Sequence, residues 1–377
     1  MRIALLTLKY SIHSTRWVNS LANRGHEVHL ISMHKENDPL EKNIIQHKLS
    51  LFPPWGYYLD AHQLRKILDQ VQPDLLHAHF ASGYGTLARL SHFHPMMISV
   101  WGNDVYNFPF RSPIHHEILR ENLCTADWIS STSQVMAEHT TRLAKCVKEK
   151  ISVIPFGIDC EFFKPQEGSR DPDFFTIGTV KTMAPKYGID VLIRAFHSLH
   201  HRLQSEGSPS AGKLRLILVG GGPIQRRDDQ TPYLKKLCQE LGIQDKVTFV
   251  GPVPHKDVPG WLNRFDVYAA LSTKDSESFG VAVIEASACE IPVVVTKSGG
   301  LPEVVRDGVT GYIVPTQDHE SAAEAFYKLF ADQELREKLG NAGRGFVLNH
   351  YEWERNVSQM ETLYASVVNR YRNDLRD

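Results

Sequence analysis

Two runs of alternating short apolar strands and amphipathic helices constrain this chain more than any other feature. The first run opens on "RIALLTL", a strand, then "STRWVNSLANRG", a helix with Ser14 or Thr15 as its cap and Gly25 as its stop. "HEVHLIS", "DLLHAH", "MMISVW", "ADWISST" and "ISVIPFG" follow as strands, with helical stretches between them. The second run begins near Phe174. Its strands are "FFTIGTV", "KLRLILVG", "KVTFVG", "DVYAALS", "IPVVVT" and "GYIVP". Helical patterns fall at Val191–Leu203, Tyr233–Leu241, Val281–Ala288 and Ser321–Phe330. Strand–helix alternation demands parallel sheets covered on both faces, so the expectation is α/β with two doubly wound, Rossmann-like domains.

The length of 377 residues supports two cores rather than one. The first domain is read as residues 1–160 and the second as 174–352. Between them the Pro-, Gly- and charge-rich segment 161–173 reads as a linker. Residues 353–377 read as one long helix packing back towards the first domain, and "SEGSPSAGK" (205–213) as a flexible surface insertion. A formal net charge of -1 argues against a nucleic-acid partner. Five cysteines (Cys124, Cys146, Cys160, Cys238, Cys289) show neither paired nor zinc-ligand spacing and read as reduced thiols. The apolar run Ile3–Leu8 stops at Lys9, too short for a signal sequence, and no stretch reaches the roughly 20 apolar residues of a membrane span. The expected setting is cytoplasmic, with contact at the inner face of the cell membrane open to it.

In open α/β sheets ligands sit beyond the carboxyl ends of strands. "TKDSESFG" leaves such an end, and the reading places a helix from Phe279 to Ala288 after it. A helix N-terminus offers unpaired N–H groups and a favourable dipole to an anion, and Gly280 allows close backbone approach. Glu277 and Glu285 stand eight residues apart, roughly 12 Å if the spacing were helical throughout. That length suits a hexose at one acid, a diphosphate at the helix start and a ribose at the other acid. Two acids at this spacing are common by chance, so the neighbours carry the weight.

"ESFGVAVIEASACEIPVVVTKSGGLPEVVRDGVTGYIV" closely resembles the E-x7-E segment of retaining glycosyltransferases of family 4, which adopt the GT-B fold with two Rossmann-like domains facing a central cleft. The resemblance spans essentially the whole chain and is strongest from about residue 175 to 315. It implies that Glu277 contacts the donor sugar, that Glu285 holds the ribose, and that Ser278, Phe279, Gly280 and Val281 meet the sugar or diphosphate. "GTVKTMAPKYGIDVLIRAF" places Lys181 and Lys186 where the family has Arg and Lys; both are expected to neutralise the leaving diphosphate. Lys181 keeps the charge of that Arg without its bidentate fork. "LILVGGGPI", Gly221 included, resembles the family's glycine turn near the nucleotide. Val253, in "FVGPVPHKDVPGWL", matches the segment whose backbone reads the base. Gly299 and Gly300 precede a helix started by Pro302, with Glu303 organising that loop.

The first domain is expected to supply the acceptor side. The family commonly has His-Gly-x-Asp where this chain reads Trp101-Gly102-Asn103-Asp104. Asp104 matches and is expected to be catalytic. Trp101 offers a face and one N–H donor, but it cannot relay a proton. His79 and His13 are candidates for the missing imidazole, while His77 reads equally as a core residue. The family's glycine-rich loop after the first strand is absent: Lys9, Tyr10 and His13 line "TLKYSIHSTRWV" instead. "LFPPWGYY" and "SHFHPMM" could meet an acceptor, a lipid or a partner, or be ordinary surface.

The resemblance implies transfer of a hexosyl group from a nucleoside-diphosphate sugar with retention of configuration. Uridine is the expected base, with N-acetylhexosamine or glucose as the sugar. No cofactor or metal is expected, since no DxD pair stands out and two lysines face the diphosphate. A glycan or lipid-linked saccharide of a cell-surface polymer is the expected acceptor. Two other readings stay open: a non-catalytic binder of nucleotide sugars or glycans, suggested by Trp101, and a GT-B-like epimerase or phosphorylase.

Overall fold

A computed structural model describes all residues except 10, 35–38, 223–227, 276 and 377. The chain divides into two compact units. One comprises Met1–Pro155 with Glu354–Asp377, the other Phe156–Trp353.

The first unit carries β1 (Arg2–Leu6), β2 (Glu27–Ser32), β3 (Ile45–Lys48), β4 (Leu75–His79), β5 (Met96–Val100), β6 (Trp128–Ser131) and β7 (Ile151–Val153). They form a parallel sheet in the order β3-β2-β1-β4-β5-β6-β7. The central strands are apolar because helices cover both faces: Ile3, Leu5, Leu75, Leu76, Met96 and Ile98 are fully buried. β3, "IQHK", was missed in the sequence reading. It is an edge strand with mostly exposed side chains, so it lacks the apolar signature of its neighbours.

The second unit carries β8 (Phe175–Val180), β9 (Leu214–Val219), β10 (Val247–Gly251), β11 (Val267–Ala270), β12 (Val293–Thr296) and β13 (Gly311–Val314). Their order is β10-β9-β8-β11-β12-β13, again all parallel. Its core gathers Ile177, Leu192, Phe196, Leu216, Leu234, Val267 and Phe326.

Several elements differ from expectation. Residues 161–173, read as the linker, fall within the second unit, which begins at Phe156; they are mostly exposed, with Phe163 buried. Residues 205–213 are not a loose insertion. Pro209–Lys213 forms a 3-10 turn that packs Ala211 into the core. Pro302 starts only a 3-10 turn, Leu301–Glu303, whose Glu303 carbonyl accepts from the Tyr351 hydroxyl. An 18-residue helix, Gln333–His350, precedes the C-terminal helix Trp353–Asp374. That last helix serves the first unit: Val357 and Tyr364 are fully buried, and Arg24 pairs with Glu354 and Glu361. Cys124 and Cys146, read as reduced thiols, are joined by a disulfide with Cα atoms 5.5 Å apart; Cys160, Cys238 and Cys289 are free and buried. The two bonded residues sit on separate elements 22 positions apart, a pairing no local spacing reveals. Among the described residues no helix is long and apolar enough to cross a membrane.

Candidate active site

In the second unit the chain winds outward from β8 in both directions, so the topological switch point lies between β8 and β11. Lys181 is the first residue after β8, and the Ser272–Glu277 loop leaves β11. The two meet there. The Lys181 Nζ donates to Glu277 Oε2 at 3.0 Å and to Oε1 at 3.2 Å, and Ser272 Oγ donates to Oε2 at 2.9 Å. Both charged side chains are only 12% exposed. Burial alone would raise the Glu277 carboxyl, but the Lys181 ammonium outweighs it and holds the group below its usual range. Burial likewise opposes the Lys181 charge, and Glu277 more than restores it, so the ammonium is raised. Each charge thus favours the other's ionised form, which sets a fixed dipole at the carboxyl edge of the sheet.

Lys186 lies in the 3-10 turn Pro185–Tyr187 rather than at a helix start. Its Nζ sits 4.7 Å from the centroid of the Tyr187 ring, with Lys181 Nζ 4.6 Å from the same centroid. Tyr187, the residue that interrupts the family pattern, thus gathers both ammonium groups on its π-system. The Thr273 N–H donates to the Lys186 carbonyl at 2.9 Å, tying the loop after β11 to this turn.

Close backbone packing sets this geometry. A Cβ at Gly220 would come within 2.0 Å of the Lys181 carbonyl, and one at Gly299 within 2.1 Å of the Glu277 carbonyl. Both glycines also have positive φ. The Gly300 N–H donates to the Glu277 carbonyl at 2.8 Å. So the glycine pair of "KSGGLPE" clamps the backbone that presents the acid. Gly221 lies in the turn after β9, where its carbonyl accepts from Met183 N at 2.8 Å; residues 223–227 of that turn, Pro223 included, are outside the described residues.

The helix after the loop runs Val281–Ala288, with Gly280 as the residue before it. It has the bounds of the helical pattern and starts two residues after the Phe279 start read from the loop, so only part of the Glu277-to-Glu285 spacing is helical. Because it follows the loop that leaves the carboxyl end of β11, its N-terminus lies at the carboxyl edge of the sheet. Ser278 is partly buried beside Gly300. The Phe279 side chain is 2% exposed and packs edge-on to Phe156 and Tyr351, so only its backbone is available to a ligand. Glu285 is 9% exposed, and its Oε1 lies 3.6 Å from His255 Nε2. Val253 and His255 sit on the loop leaving β10, with the His255 ring stacked on Phe162 at 5.7 Å. Sequence reasoning missed His255; its partner is 30 positions away, and only its place two residues beyond Val253 hinted at it.

The first unit has its own switch point, between β1 and β4. His79 ends β4, and its Nδ1 bonds the Thr7 hydroxyl (2.9 Å), which bonds the Ser14 hydroxyl (2.7 Å). Burial, together with neighbouring His77, depresses the His79 pKa well below its usual value, so the imidazole stays neutral. Trp101 covers it with ring centroids 4.4 Å apart, and His13 meets the Trp101 edge at 6.3 Å. These three candidates are thus brought together. His77 belongs to the core: it bonds Tyr364 (2.6 Å) and Ser99 (2.7 Å), and burial pushes its pKa down to about 3.

Asp104 does not fit the catalytic role expected of it. It is 2% exposed, and its carboxylate accepts from the N–H groups of Ala81 (2.8 Å), Gly102 (2.9 Å) and Trp101 (3.1 Å). Burial raises its pKa and these bonds oppose the rise. Asp104 is a positioning residue that fixes the Trp101 loop against the start of the neighbouring connection.

A switch point that holds a buried Lys–Glu pair just ahead of a helix start is a place where an anionic ligand can bind. Residues 161–346 match the family "Glycosyl transferases group 1", and residues 2–133 match "Glycosyl transferase 4-like". The chain is a family 4-type glycosyltransferase. It is 27% identical over 376 residues to N-acetyl-alpha-D-glucosaminyl L-malate synthase of Bacillus anthracis, covering 92% of this chain and 91% of that one. It is 28% identical over 353 residues to D-inositol 3-phosphate glycosyltransferase of Saccharomonospora viridis, covering 89% and 78%. Among solved structures, sucrose-phosphate synthase from Thermosynechococcus elongatus superposes with a TM-score of 0.81 at 22% identity, over 97% of this chain and 99% of that one. The Anabaena protein HepE, in complex with UDP and glucose, superposes with a TM-score of 0.79 at 18% identity, over 97% and 100%. Both share the GT-B fold with this glycosyltransferase.

Proposed function

We propose that this glycosyltransferase moves a hexosyl group, with retention and without a metal ion, from a UDP-sugar to a hydroxyl of a lipid-linked saccharide at the inner membrane face. The observation that carries the donor side is the ionised Lys181–Glu277 pair at the switch point of the second unit. A donor diphosphate beside the Val281 helix start would take charge from Lys181 and Lys186, and Glu277 would then turn its oxygens to sugar hydroxyls. Glu285, with His255 beside it, would accept from the ribose diol. The C1–O bond to the β-phosphate breaks as the acceptor oxygen bonds C1 on the same face. The acceptor's proton passes to the departing phosphate oxygen, so no enzyme base is consumed. Lysine and helix-dipole charge stabilises the leaving diphosphate as it develops. On the acceptor side, half-buried Trp101 is the group placed to meet a sugar ring, and His79, 1% exposed beneath it, supports the indole.

UDP is favoured by the HepE complex, whereas GDP-mannose-dependent mannosyltransferases of Mycolicibacterium smegmatis and Mycobacterium tuberculosis also resemble the chain. A thermal-shift screen of nucleotide sugars decides between them. The Glu277→Ala variant strands the Lys181 ammonium and should melt lower, yet still bind nucleotide below its melting range while losing transfer by at least roughly a hundredfold, in line with loss of a group acting in the transition state. Wild-type rates in that variant would overturn the assignment.

A further inference from the structure

The connection leaving β3 displays an apolar surface that the core does not use. Phe52 is 63% exposed, Trp55 70% and Leu59 64%, with Leu51 and Tyr58 also exposed. This is not a loose loop. The Gly56 N–H donates to the Phe52 carbonyl, and the Tyr58 and Leu59 N–H groups donate to the Trp55 carbonyl, each at 3.0 Å. The Leu51 N–H is held by buried Asp60, and Gln63 bonds both Ser50 and Lys48. Tyr57 points inward, edge-on to Tyr84 at 5.4 Å and so close to Gly83 that a Cβ there would strike its ring. The turn is therefore built to hold its neighbours outward.

Charge distinguishes the occupants such a surface could take. On the chain that runs from β3 through the turn, the exposed bases are Lys48, Arg65 and Lys66; Asp60 is buried against Leu51, Asp69 is exposed one turn beyond Lys66, and Lys42 lies beside exposed Glu41 at the other end of β3. A second copy of the chain docking through the same patch would set these cations against their own images. An anionic bilayer satisfies both features at once, since Trp and Tyr favour the headgroup boundary and Lys and Arg reach its phosphates. Because the sheet is parallel, this connection also leaves the same edge as His79 and Trp101. Exposed Ile12, Phe110 and Ile114 lie on the connections after β1 and β5 at that edge.

We propose that the Leu51–Leu59 turn docks the first unit on an anionic lipid surface, inserting Phe52 and Trp55 with the flanking bases on the headgroups. This deepens the lipid-linked acceptor reading: it would bring the carboxyl edge carrying Trp101 to the surface where such an acceptor lies. The test is co-sedimentation of the full chain with vesicles of phosphatidylcholine alone, and of phosphatidylcholine with phosphatidylglycerol. The wild type should bind the anionic vesicles, and raised salt should weaken binding. Phe52→Ser with Trp55→Ser, and separately Lys48→Glu with Lys66→Glu, should each lower partitioning by roughly tenfold or more. These side chains are exposed, so thermal melts should be unchanged. Equal binding by wild type and the aromatic variant, or no binding to either vesicle, would overturn the proposal. So would a concentration-dependent dimer that the aromatic variant abolishes while vesicles go unbound. Nucleotide release with a water-soluble acceptor separates the two readings: vesicle binding without donor chemistry sinks only the transferase assignment, and the reverse sinks only this surface.

Discussion

Glu277 is held by a neighbour that was legible in the sequence as a charge but not as a partner. Lys181 and Glu277 each follow a strand, which placed them at the sheet edge; their mutual contact spans 96 positions and needs the β8–β11 pairing. The consequence for stability has a definite sign. The Glu277 carboxyl is depressed, so its contribution is whole above about pH 4.3 and is lost as pH falls through the folded value. The Lys181 ammonium is raised, so its contribution is whole below about pH 10.4 and is lost as pH climbs through the folded value. Lys181→Met leaves a carboxylate unpaired in a nearly dry site and should cost about 3–5 kcal/mol near neutrality. Urea titrations across pH should show that deficit shrinking below about pH 5, as the stranded acid protonates. A pH-independent deficit would mean the pair carries no net charge coupling. Asp104 shows the opposite kind of misreading. Its identity matched a motif, but its partners are backbone N–H groups, one of them 23 positions away, and side-chain spelling does not encode those.

At the level of elements, what was legible followed the apolar period. Buried strands and two-faced helices announced themselves, whereas the exposed edge strand β3 and the 3-10 turn at Pro302 did not. Glycines were visible only as turn signals. Their positional meaning, letting one backbone press on another, required the fold. Gly299 has φ +51 and no room for a methyl group against the Glu277 carbonyl. Gly299→Ala should therefore displace the acid-bearing loop, destabilising the second unit by about 1–3 kcal/mol and lowering kcat/KM well beyond what that loss of folded protein explains. Circular dichroism melts with steady-state kinetics check both halves. Unchanged kinetics would show that the loop is not held by this contact.

For the whole molecule, two α/β units were legible because two strand–helix series cannot share one sheet of ordinary size. The last helix, read as packing back towards the first domain, belongs to the first unit. The helix Trp353–Asp374 lies at the far end of the chain from β1, yet it buries Val357, Tyr364, Val367 and Val368, and Tyr364 holds His77 under the sheet edge. Removing residues 354–377 should thus strip the first unit of a core face and cost several kcal/mol, from roughly 1.5–3 kcal/mol per buried apolar side chain. Limited proteolysis of the truncated chain should cut first within Met1–Pro155 while the second unit persists. Uniform digestion of both units would contradict that assignment of the helix.

The central claim is that the second unit grips a sugar nucleotide at the Lys181–Glu277 pair, and a crystal soaked with a UDP-sugar tests it most directly. Density should place the diphosphate against Lys181, Lys186 and the Val281 helix start, with Glu285 on the ribose and Glu277 turned to the sugar. Phosphates bound elsewhere, with the Lys181–Glu277 bridge intact and Glu285 facing only water, would contradict the account.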